Sequence, residues 1–343
     1  MKTSLVLSLI LFNVLVCFSS ADVPHNDASV YVGQWSFDFG NGSVGWLQVR
    51  QEEGYLDADL MWGGGSVMYG LPYVYIAGDK LIVGRDLRNV VLKRDADRQP
   101  LLTKSYPTWI ELKRDGESVS GYYLSPKRNG VGLDSVAIRG RKLPEMNEAP
   151  DISKAKFGKP IQLLKKNDLT GWRLVDGNQK NGWTIKDGVL SNDPVQKEGE
   201  PHISYGNLRT EQVFEDFNLK LEINTSPKSN SGIYLRGMYE VQVADSYDRP
   251  LNWEGSMGAI YSRITPTAKA EKPIGEWQVI DITLYKRHVT VKLNGVTIID
   301  NQPVYGPTGG AIQSDVNAPG PIYLQGDHTA ISYRNIVLTP IEN

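Results

Sequence analysis

The sequence has almost no cysteine, with Cys17 the single one in 343 residues. Cys17 lies in the segment from Met1 to Ala21, which combines one lysine, an apolar run and a small-residue end. This pattern predicts a secretory signal peptide over residues 1–21. The mature chain would then have no cysteine and no intrachain disulfide. Exported proteins of this kind are commonest in bacteria, so we expect a periplasmic or secreted protein.

Long apolar runs are also lacking. A membrane anchor needs about 20 apolar residues, and the run from Leu5 to Phe18 is shorter. No later segment is long and apolar enough to be a transmembrane segment. A lipoprotein acylated at Cys17 is the alternative, although Val16 stands where a small residue is usual.

Basic blocks, RNA-stacking motifs and Arg-rich helices are absent, and the formal net charge is −2. Nucleic acid and anionic membranes are therefore not expected as partners. The sequence has no HExxH, zinc spacing, EF-hand, P-loop, GxSxG or dinucleotide fingerprint, so metalloprotease, NTPase, α/β-hydrolase and Rossmann functions are not supported. We predict no cofactor. A divalent metal stays open, without a ligand motif in its favour.

Helical patterns of three turns are missing too, and the sequence predicts an all-β protein with two domains. Between residues 30 and 140, closely spaced turn signals imply about eight short strands. Their short connections favour a lipocalin-like antiparallel β-barrel or a curled sheet, with an open sandwich as the alternative. Residues 141–159 are polar and proline-punctuated, which is typical of a linker.

Residues 160–343 have wider spacing between their strand patterns. Asn294-Gly295, between two alternating segments, predicts a hairpin with a type I′ turn. The long connections at 245–257 and 301–321 are typical of a two-sheet jelly-roll sandwich rather than a meander.

The segment NSGIYLRGMYEVQVADS (230–246) predicts a β-strand with one polar face. Its odd positions from 233 to 243 are apolar and should face the core. Arg236, Glu240 and Gln242 would then form a polar row on the outer face, where a plain solvated surface is the alternative. The glycines at 232 and 237 permit close approach or a bulge, and a turn at Gly237 would reverse the alternation.

Two other segments contain candidate site residues. Trp253 and Tyr261 offer flat apolar surfaces of the kind that stack on sugar rings, with loop packing as the alternative. His328 follows Asp327 at a predicted strand end. A carboxylate partner fixes the tautomer of a histidine and raises its basicity, so His328 can act as a base near neutral pH. A surface histidine is the alternative reading of this pair.

From about residue 160 to 341 the sequence resembles the 3-keto-disaccharide hydrolase domain family. The segments that carry the resemblance are LTGWR (169), GWTIKDGVL (182), FEDFNLKLEI (214), NSGIYLRGMYEVQVADS (230), GAIYSRITP (258), GEWQVIDIT (275), VTVKLNGVTIID (289), GPTGGAI (306), PIYLQGDH (321) and YRNIVL (333). The resemblance implies a concanavalin-like β-jelly roll. It also implies that residues 30–140 are an additional module that some members carry.

The resemblance further implies cleavage of 3-keto-glycosides, sugars oxidised at C3, by elimination or by hydrolysis. A ketone at C3 acidifies the proton on C2, so a base can remove that proton and expel the aglycone from C1. On this assignment His328 or Glu240 would be the base and the acid, and Arg236 would anchor the enolate or the substrate. Metal dependence and oligomeric state stay open.

The remaining candidates would bind substrate hydroxyls: Gln242, Asp245, Trp253, Tyr261, Gln325 and Asp327. Family members often place histidine two positions after the glutamine, whereas here Asp327 occupies that place and His328 comes one later. The identity of the base therefore stays open. A non-catalytic, lectin-like carbohydrate-binding protein is the alternative function, since a jelly roll hosts both classes.

Overall fold

The structure is a computed structural model, and it describes residues 27–165, 167–197, 200–252 and 254–342. The predicted signal peptide with Cys17, and the candidate residue Trp253, lie outside the described residues. Within the described ranges, no helix has both the length and the apolar character needed to cross a membrane.

The N-terminal domain is a curled antiparallel sheet preceded by one 3₁₀ turn, Ala28–Tyr31. Its nine strands are β1 Gly33–Phe39, β2 Val44–Gln51, β3 Leu56–Trp62, β4 Val67–Met68, β5 Val74–Ala77, β6 Lys80–Arg94, β7 Pro100–Asp115, β8 Ser118–Pro126 and β9 Leu133–Lys142. They pair in the order β4-β3-β2-β1-β9-β8-β7-β6-β5. The side chains of Trp35, Phe37 and Leu60 are fully buried inside the curl. The predicted curled sheet is confirmed.

The second domain contains fourteen short and long strands after a 3₁₀ turn, Ile152–Lys154. They are β10 Lys156–Phe157, β11 Ile161–Gln162, β12 Trp172–Leu174, β13 Trp183–Lys186, β14 Val189–Asn192, β15 Leu208–Thr210, β16 Phe217–Thr225, β17 Asn230–Leu235, β18 Tyr239–Ala244, β19 Trp277–Tyr285, β20 His288–Leu293, β21 Val296–Pro303, β22 Tyr323–Leu324 and β23 Ile331–Glu342.

These strands form two sheets that pack face to face. One sheet runs β13-β14-β23-β16-β19-β20-β21, with β10 and β11 also paired to β23, and the other runs β12-β15-β22-β17-β18. Buried aliphatic side chains of both sheets, including Ile223, Ile280, Ile233 and Val241, fill the space between them. The expected jelly-roll sandwich is confirmed, because strands far apart in sequence, such as β16 and β23, are neighbours.

The segment 230–246 is a hairpin and not one strand, which corrects the sequence prediction. Arg236 and Gly237 have φ of 57° and 64°, and the Met238 N–H donates to the Leu235 carbonyl at 3.0 Å, as in a type I′ turn. Leu235 pairs with Tyr239, which leaves an odd number of residues between the two members of this last pair. The alternation of faces therefore continues through the turn instead of reversing.

The two domains are in direct contact. Trp46 of β2 is buried, and the Arg263 guanidinium of the second domain lies 3.8 Å from its ring centroid. The backbone of Gly310 donates to the Gly63 carbonyl at 3.0 Å, and Ser36 Oγ donates to the Ser314 carbonyl at 2.8 Å. The contact places the β3–β4 loop of the N-terminal domain against the long loops of the sandwich.

Candidate functional site

The outer side of the five-stranded sheet carries adjacent polar and aromatic side chains. Tyr323 lies opposite Tyr234, and Tyr234 lies opposite Glu240. One row along, Gly232 lies opposite Gln242, and the Gln325 N–H donates to the Gly232 carbonyl at 3.0 Å. Directly opposed residues of paired strands point to the same side of a sheet. We call this patch the polar face: Tyr234, Glu240, Gln242, Tyr323 and Gln325.

Loops border the polar face instead of leaving it open as a flat sheet. At the free edge of β18, the Glu240 N–H donates to Thr308 Oγ1 at 2.9 Å, and the Glu240 carbonyl accepts from the Tyr261 N–H at 3.0 Å. Glu240 and Gln242 are each 4% exposed. The alternative of a solvated row is therefore wrong for these two residues.

Burial determines the protonation state of Glu240. Removal from water disfavours the carboxylate and raises its pKa to about 8, although the hydrogen bond with Tyr234 and the charge of His328 act in the opposite direction. The side chain lies directly over Gly232, where an added Cβ would be 2.3 Å from Glu240 Oε1. Glycine at 232 thus leaves room for the acid, and the close approach anticipated from the sequence is present.

The Tyr234 hydroxyl links Glu240 to a carbonyl of the covering loop. It lies 2.8 Å from Glu240 Oε2 and 2.7 Å from the Gly309 carbonyl oxygen. The hydroxyl has one proton, and the carbonyl can only accept. When Glu240 is ionised, Tyr234 Oη donates to Glu240 Oε2; when Glu240 is protonated, the acid can donate to Tyr234 Oη, whose own proton then goes to the Gly309 carbonyl. The hydroxyl therefore accommodates both protonation states, and burial favours the neutral acid.

Tyr234 is held in place by its neighbours. Its ring stacks on Tyr323 with centroids 4.1 Å apart and an interplanar angle of 10°. Asn207 Nδ2 donates to Tyr323 Oη at 2.9 Å. Burial raises the pKa of both tyrosines, so their hydroxyls stay neutral hydrogen-bond donors at physiological pH.

His328 and Asp327 lie at the rim of the polar face. His328 Nδ1 is 3.0 Å from Asp327 Oδ1, and the two side chains are 42% and 35% exposed. The contact with Asp327 is the main cause of the raised pKa of His328. Burial pushes the pKa of Asp327 up, but its contact with His328 brings that pKa below the usual value. The pair leaves Nε2 of the imidazole as the atom that can accept a proton.

Two amide oxygens near this rim offer unused acceptors. Gln242 Nε2 donates to Asn230 Oδ1 at 3.0 Å, and Gln325 Nε2 lies 3.5 Å from His328 Nε2. Within the described ranges, the buried oxygens Gln242 Oε1 and Gln325 Oε1 have no hydrogen-bond partner. Such atoms suit the hydroxyl groups of a bound sugar.

Arg236 is not part of the polar face, which corrects the expected grouping with Glu240. Its guanidinium donates to the carbonyl of Val316 at 2.7 Å and to that of Ala318. The residue is 2% exposed and borders a different cleft, which Asp216 and Lys286 also line. Its position in the hairpin turn directs it to the 313–320 loop, where it satisfies backbone carbonyls.

Asp245 and Tyr261 also have structural partners. Asp245 Oδ2 accepts from the Lys228 N–H at 2.8 Å, so this carboxylate closes the turn before β17. Tyr261 Oη lies 3.0 Å from Ser66 Oγ of the N-terminal domain. Burial is the main cause of the raised pKa of Tyr261, and the nearby Glu240 charge raises it further.

Sequence reasoning missed the supporting residues of the site. Tyr234 is an even position of the quoted segment, like Glu240, and Tyr323 lies in a family segment, so the pattern contained a signal for both. Ser66 and Asn207 had no comparable signal. Among the side chains that the structure describes, no cluster of three or more His, Cys, Asp or Glu is placed to hold a metal ion.

Solved structures that are similar to this chain include carbohydrate-related proteins. Two proteins of Parabacteroides distasonis ATCC 8503 with a provisional glycosyl hydrolase designation are 31% and 20% identical to it, with TM-scores of 0.43 and 0.44. The first match covers 57% of this chain and 93% of the other, and the second covers 53% and 94%. Domain 4 of a GH43 extracellular arabinanase from Geobacillus stearothermophilus is 13% identical, with a TM-score of 0.34 and coverages of 55% and 95%.

A comparison with curated proteins found no match. The family model described as the 3-keto-alpha-glucoside-1,2-lyase-like domain matches residues 159–339. This range contains the polar face and its rim, together with the segments that carry the resemblance noted in the sequence. Because the match spans more than half of the sequence, the chain belongs to the 3-keto-alpha-glucoside-1,2-lyase-like domain family.

Proposed function

We propose that this protein cleaves the glycosidic bond of 3-keto-glycosides at the polar face, with Glu240 as the acid and His328 as the base. Family membership supports a carbohydrate-active function. The observation that carries the finer assignment is the burial of Glu240, which is 4% exposed beside the Tyr234 hydroxyl and is thereby favoured as the neutral acid.

The two groups suit an elimination. His328 Nε2 takes the proton from C2 of the sugar, and the electron pair of that C–H bond forms a C2–C3 double bond as the C3 carbonyl becomes an enolate. The C3 carbonyl then re-forms, the C1–C2 double bond forms, the bond between C1 and the glycosidic oxygen breaks, and Glu240 gives its proton to the departing oxygen. Water added across the double bond later yields the free 3-keto sugar.

The enolate that develops at O3 needs a hydrogen-bond donor. Arg236, which the sequence suggested for this role, donates to loop carbonyls instead. We assign the Gln325 amide, which lies beside His328 Nε2. Tyr261 and Gln242 would then orient other sugar hydroxyls.

The test is incubation of the full chain with α- and β-linked methyl 3-keto-glucosides, followed by NMR. We expect loss of the glycoside and release of methanol, with no reaction of the unoxidised methyl glucosides. Glu240→Gln should lower turnover by roughly 10²–10⁴, the usual contribution of a general acid. Glu215→Gln is the control, because this glutamate is exposed.

The same reaction in D₂O separates the mechanisms. Elimination and hydration place deuterium at C2 of the product, whereas direct hydrolysis keeps the original hydrogen. Product incubated without enzyme corrects for spontaneous exchange. Measurable binding of the 3-keto-glucosides with no turnover at high protein concentration would overturn the enzyme proposal and leave the lectin-like function.

A further inference from the structure

An aromatic groove lies on the outside of the N-terminal sheet, away from the polar face. Tyr73, Tyr75 and Trp109 border it, together with Lys80 and Glu111, and its volume is about 620 Å³. Tyr73 and Tyr75 are 37% and 48% exposed. A groove of this size, lined by aromatic rings and a few polar groups, has the features of a small-molecule site.

The strand register holds the rings of the groove in place. Tyr75 of β5 lies opposite Ile82 of β6, which in turn lies opposite Glu111 of β7. The ring of Tyr73 lies on the backbone of Gly84, where an added Cβ would be 2.5 Å from the ring. The rings of Tyr73 and Tyr75 have centroids 6.0 Å apart. The register therefore sets where these side chains leave the sheet, and the Tyr73 ring packs against Gly84.

The polar groups of the groove balance each other in charge. Lys80 Nζ lies 2.9 Å from Glu111 Oε2, and Trp109 Nε1 donates to Glu111 Oε1 at 3.1 Å. Lys80 lowers the pKa of Glu111, and Glu111 raises that of Lys80, so both are charged at neutral pH. Because the charges of Lys80 and Glu111 cancel, the pair favours an uncharged ligand with hydroxyl groups over an anionic polymer.

We propose that this groove binds a neutral sugar chain, with pyranose rings stacked on Tyr75 and Trp109 and hydroxyls bonded to Lys80 and Glu111. Tyrosine and tryptophan present a large apolar surface together with a polar tip, which matches the apolar ring face and polar edge of a sugar. The site is separate from the polar face and does not depend on the cleavage chemistry. It would hold the protein on a glycan while the second domain acts.

Affinity electrophoresis of the full chain tests this proposal. Native gels would contain one of five soluble neutral polysaccharides: laminarin, xyloglucan, galactomannan, dextran or starch. We expect retardation by at least one of them. Tyr75→Ala and Trp109→Ala should each raise the apparent Kd at least tenfold. Tyr55→Ala, an exposed tyrosine in the β2–β3 turn, and Glu240→Gln should leave retardation unchanged.

Thermal unfolding checks that each variant is folded, and Tyr75→Phe should keep most of the binding because it keeps the ring. Three results would overturn the proposal. These are normal migration in all five gels, retardation that Tyr75→Ala and Trp109→Ala do not weaken, and retardation that Glu240→Gln abolishes. Concentration-dependent self-association that Tyr75→Ala removes, without any retardation, would identify the groove as a protein interface instead.

Discussion

At the scale of single residues, the site depends on a carboxylic acid that the fold keeps out of water. Glu240 is 4% exposed, and burial raises its pKa to about 8. A carboxyl group with this pKa keeps its proton at neutral pH, so it can donate to a leaving group. The Tyr234 hydroxyl can turn its own proton from the Gly309 carbonyl to Glu240 once the acid has ionised, which would stabilise the carboxylate.

Glu240 should make the folded protein less stable at alkaline pH. The pKa of Glu240 is 4.5 without the fold and about 8 in the folded protein. The stability that the neutral acid contributes is therefore complete below pH 4.5 and is lost as the pH rises through about 8. Glu240→Gln removes this ionisation. At pH 9 we expect Glu240→Gln to exceed the wild type in free energy of unfolding by a few kcal/mol, with little difference at pH 5. Urea unfolding at both pH values measures this, and equal stability at pH 9 would contradict it.

Under the proposed mechanism, the pH profile of turnover should report Glu240 and His328. That mechanism needs a protonated Glu240, so kcat/KM should fall as pH rises through about 8, and it needs a neutral His328 on the acid side. Asp327 raises the pKa of His328. Asp327→Asn should therefore move the acid limb to lower pH and leave the alkaline limb in place. An unchanged acid limb in this variant would remove His328 from the role of base.

At the scale of secondary structure, the β17–β18 hairpin positions the acid. Its register places Gly232 beneath the Glu240 side chain, and its turn carries Arg236 away from it. A single hairpin thus separates the two residues that the sequence grouped together. Substitutions at Gly232 and at Arg236 should therefore have different effects on activity and stability.

Gly232→Ala should impair catalysis by displacing the acid. The new Cβ would lie 2.3 Å from Glu240 Oε1 and 2.8 Å from its Cγ, so the carboxyl group must move. A misplaced catalytic group costs about 10²-fold in rate, and we expect a loss of that order in kcat. Gly177→Ala is the matched control, since nothing lies within 4 Å of a Cβ there. Steady-state kinetics and thermal unfolding of both variants measure this. Full activity in Gly232→Ala would contradict the prediction.

Arg236→Ala should reduce stability more than catalysis. It removes the donors to the Val316 and Ala318 carbonyls, and hydrogen bonds to charged groups contribute roughly 1.5–3 kcal/mol. We expect a loss of about 2–4 kcal/mol in the free energy of unfolding, with kcat within about threefold of wild type for the folded fraction. Arg173→Ala, an exposed arginine, is the control. A large fall in kcat with normal stability would restore Arg236 as a substrate anchor.

At the scale of the whole molecule, the N-terminal domain supports the wall of the site. Ser66 Oγ lies 3.0 Å from Tyr261 Oη, and the Val67 N–H donates to Ser262 Oγ. The Gly310 N–H donates to the Gly63 carbonyl. Residues 63–67 therefore contact both sandwich loops that border Glu240. The first domain thus contacts the loops beside Glu240 and also carries the aromatic groove.

Ser66→Ala should weaken substrate binding through Tyr261. The variant removes one hydrogen bond, which contributes about 0.5–1.5 kcal/mol, so we expect KM to rise by about two- to tenfold with kcat little changed. Ser120→Ala, on the exposed side of β8, serves as the control. If KM does not change, Tyr261 holds its position without the N-terminal domain.

Much of the fold follows from local patterns. The short connections before residue 140 predicted the curled sheet, and Asn294-Gly295 predicted the hairpin between β20 and β21, which is present with φ of 50° and 85°. The segment 230–246 was misread as one strand because Arg236 at the first turn position is not a residue that usually adopts positive φ. Catalytic roles for Glu240 and His328 stay predictions.

The sequence by itself determined which side chains share a face, because alternation along a strand is a local property of the backbone. It thereby placed Glu240 with Gln242, and the same alternation includes Tyr234. Only the tertiary structure decided that Glu240 is buried and neutral, and that Arg236 binds carbonyls some 80 residues away. Burial and pairing of this kind depend on loops distant in sequence, including 63–67 from another domain, and no local pattern records which of them will meet.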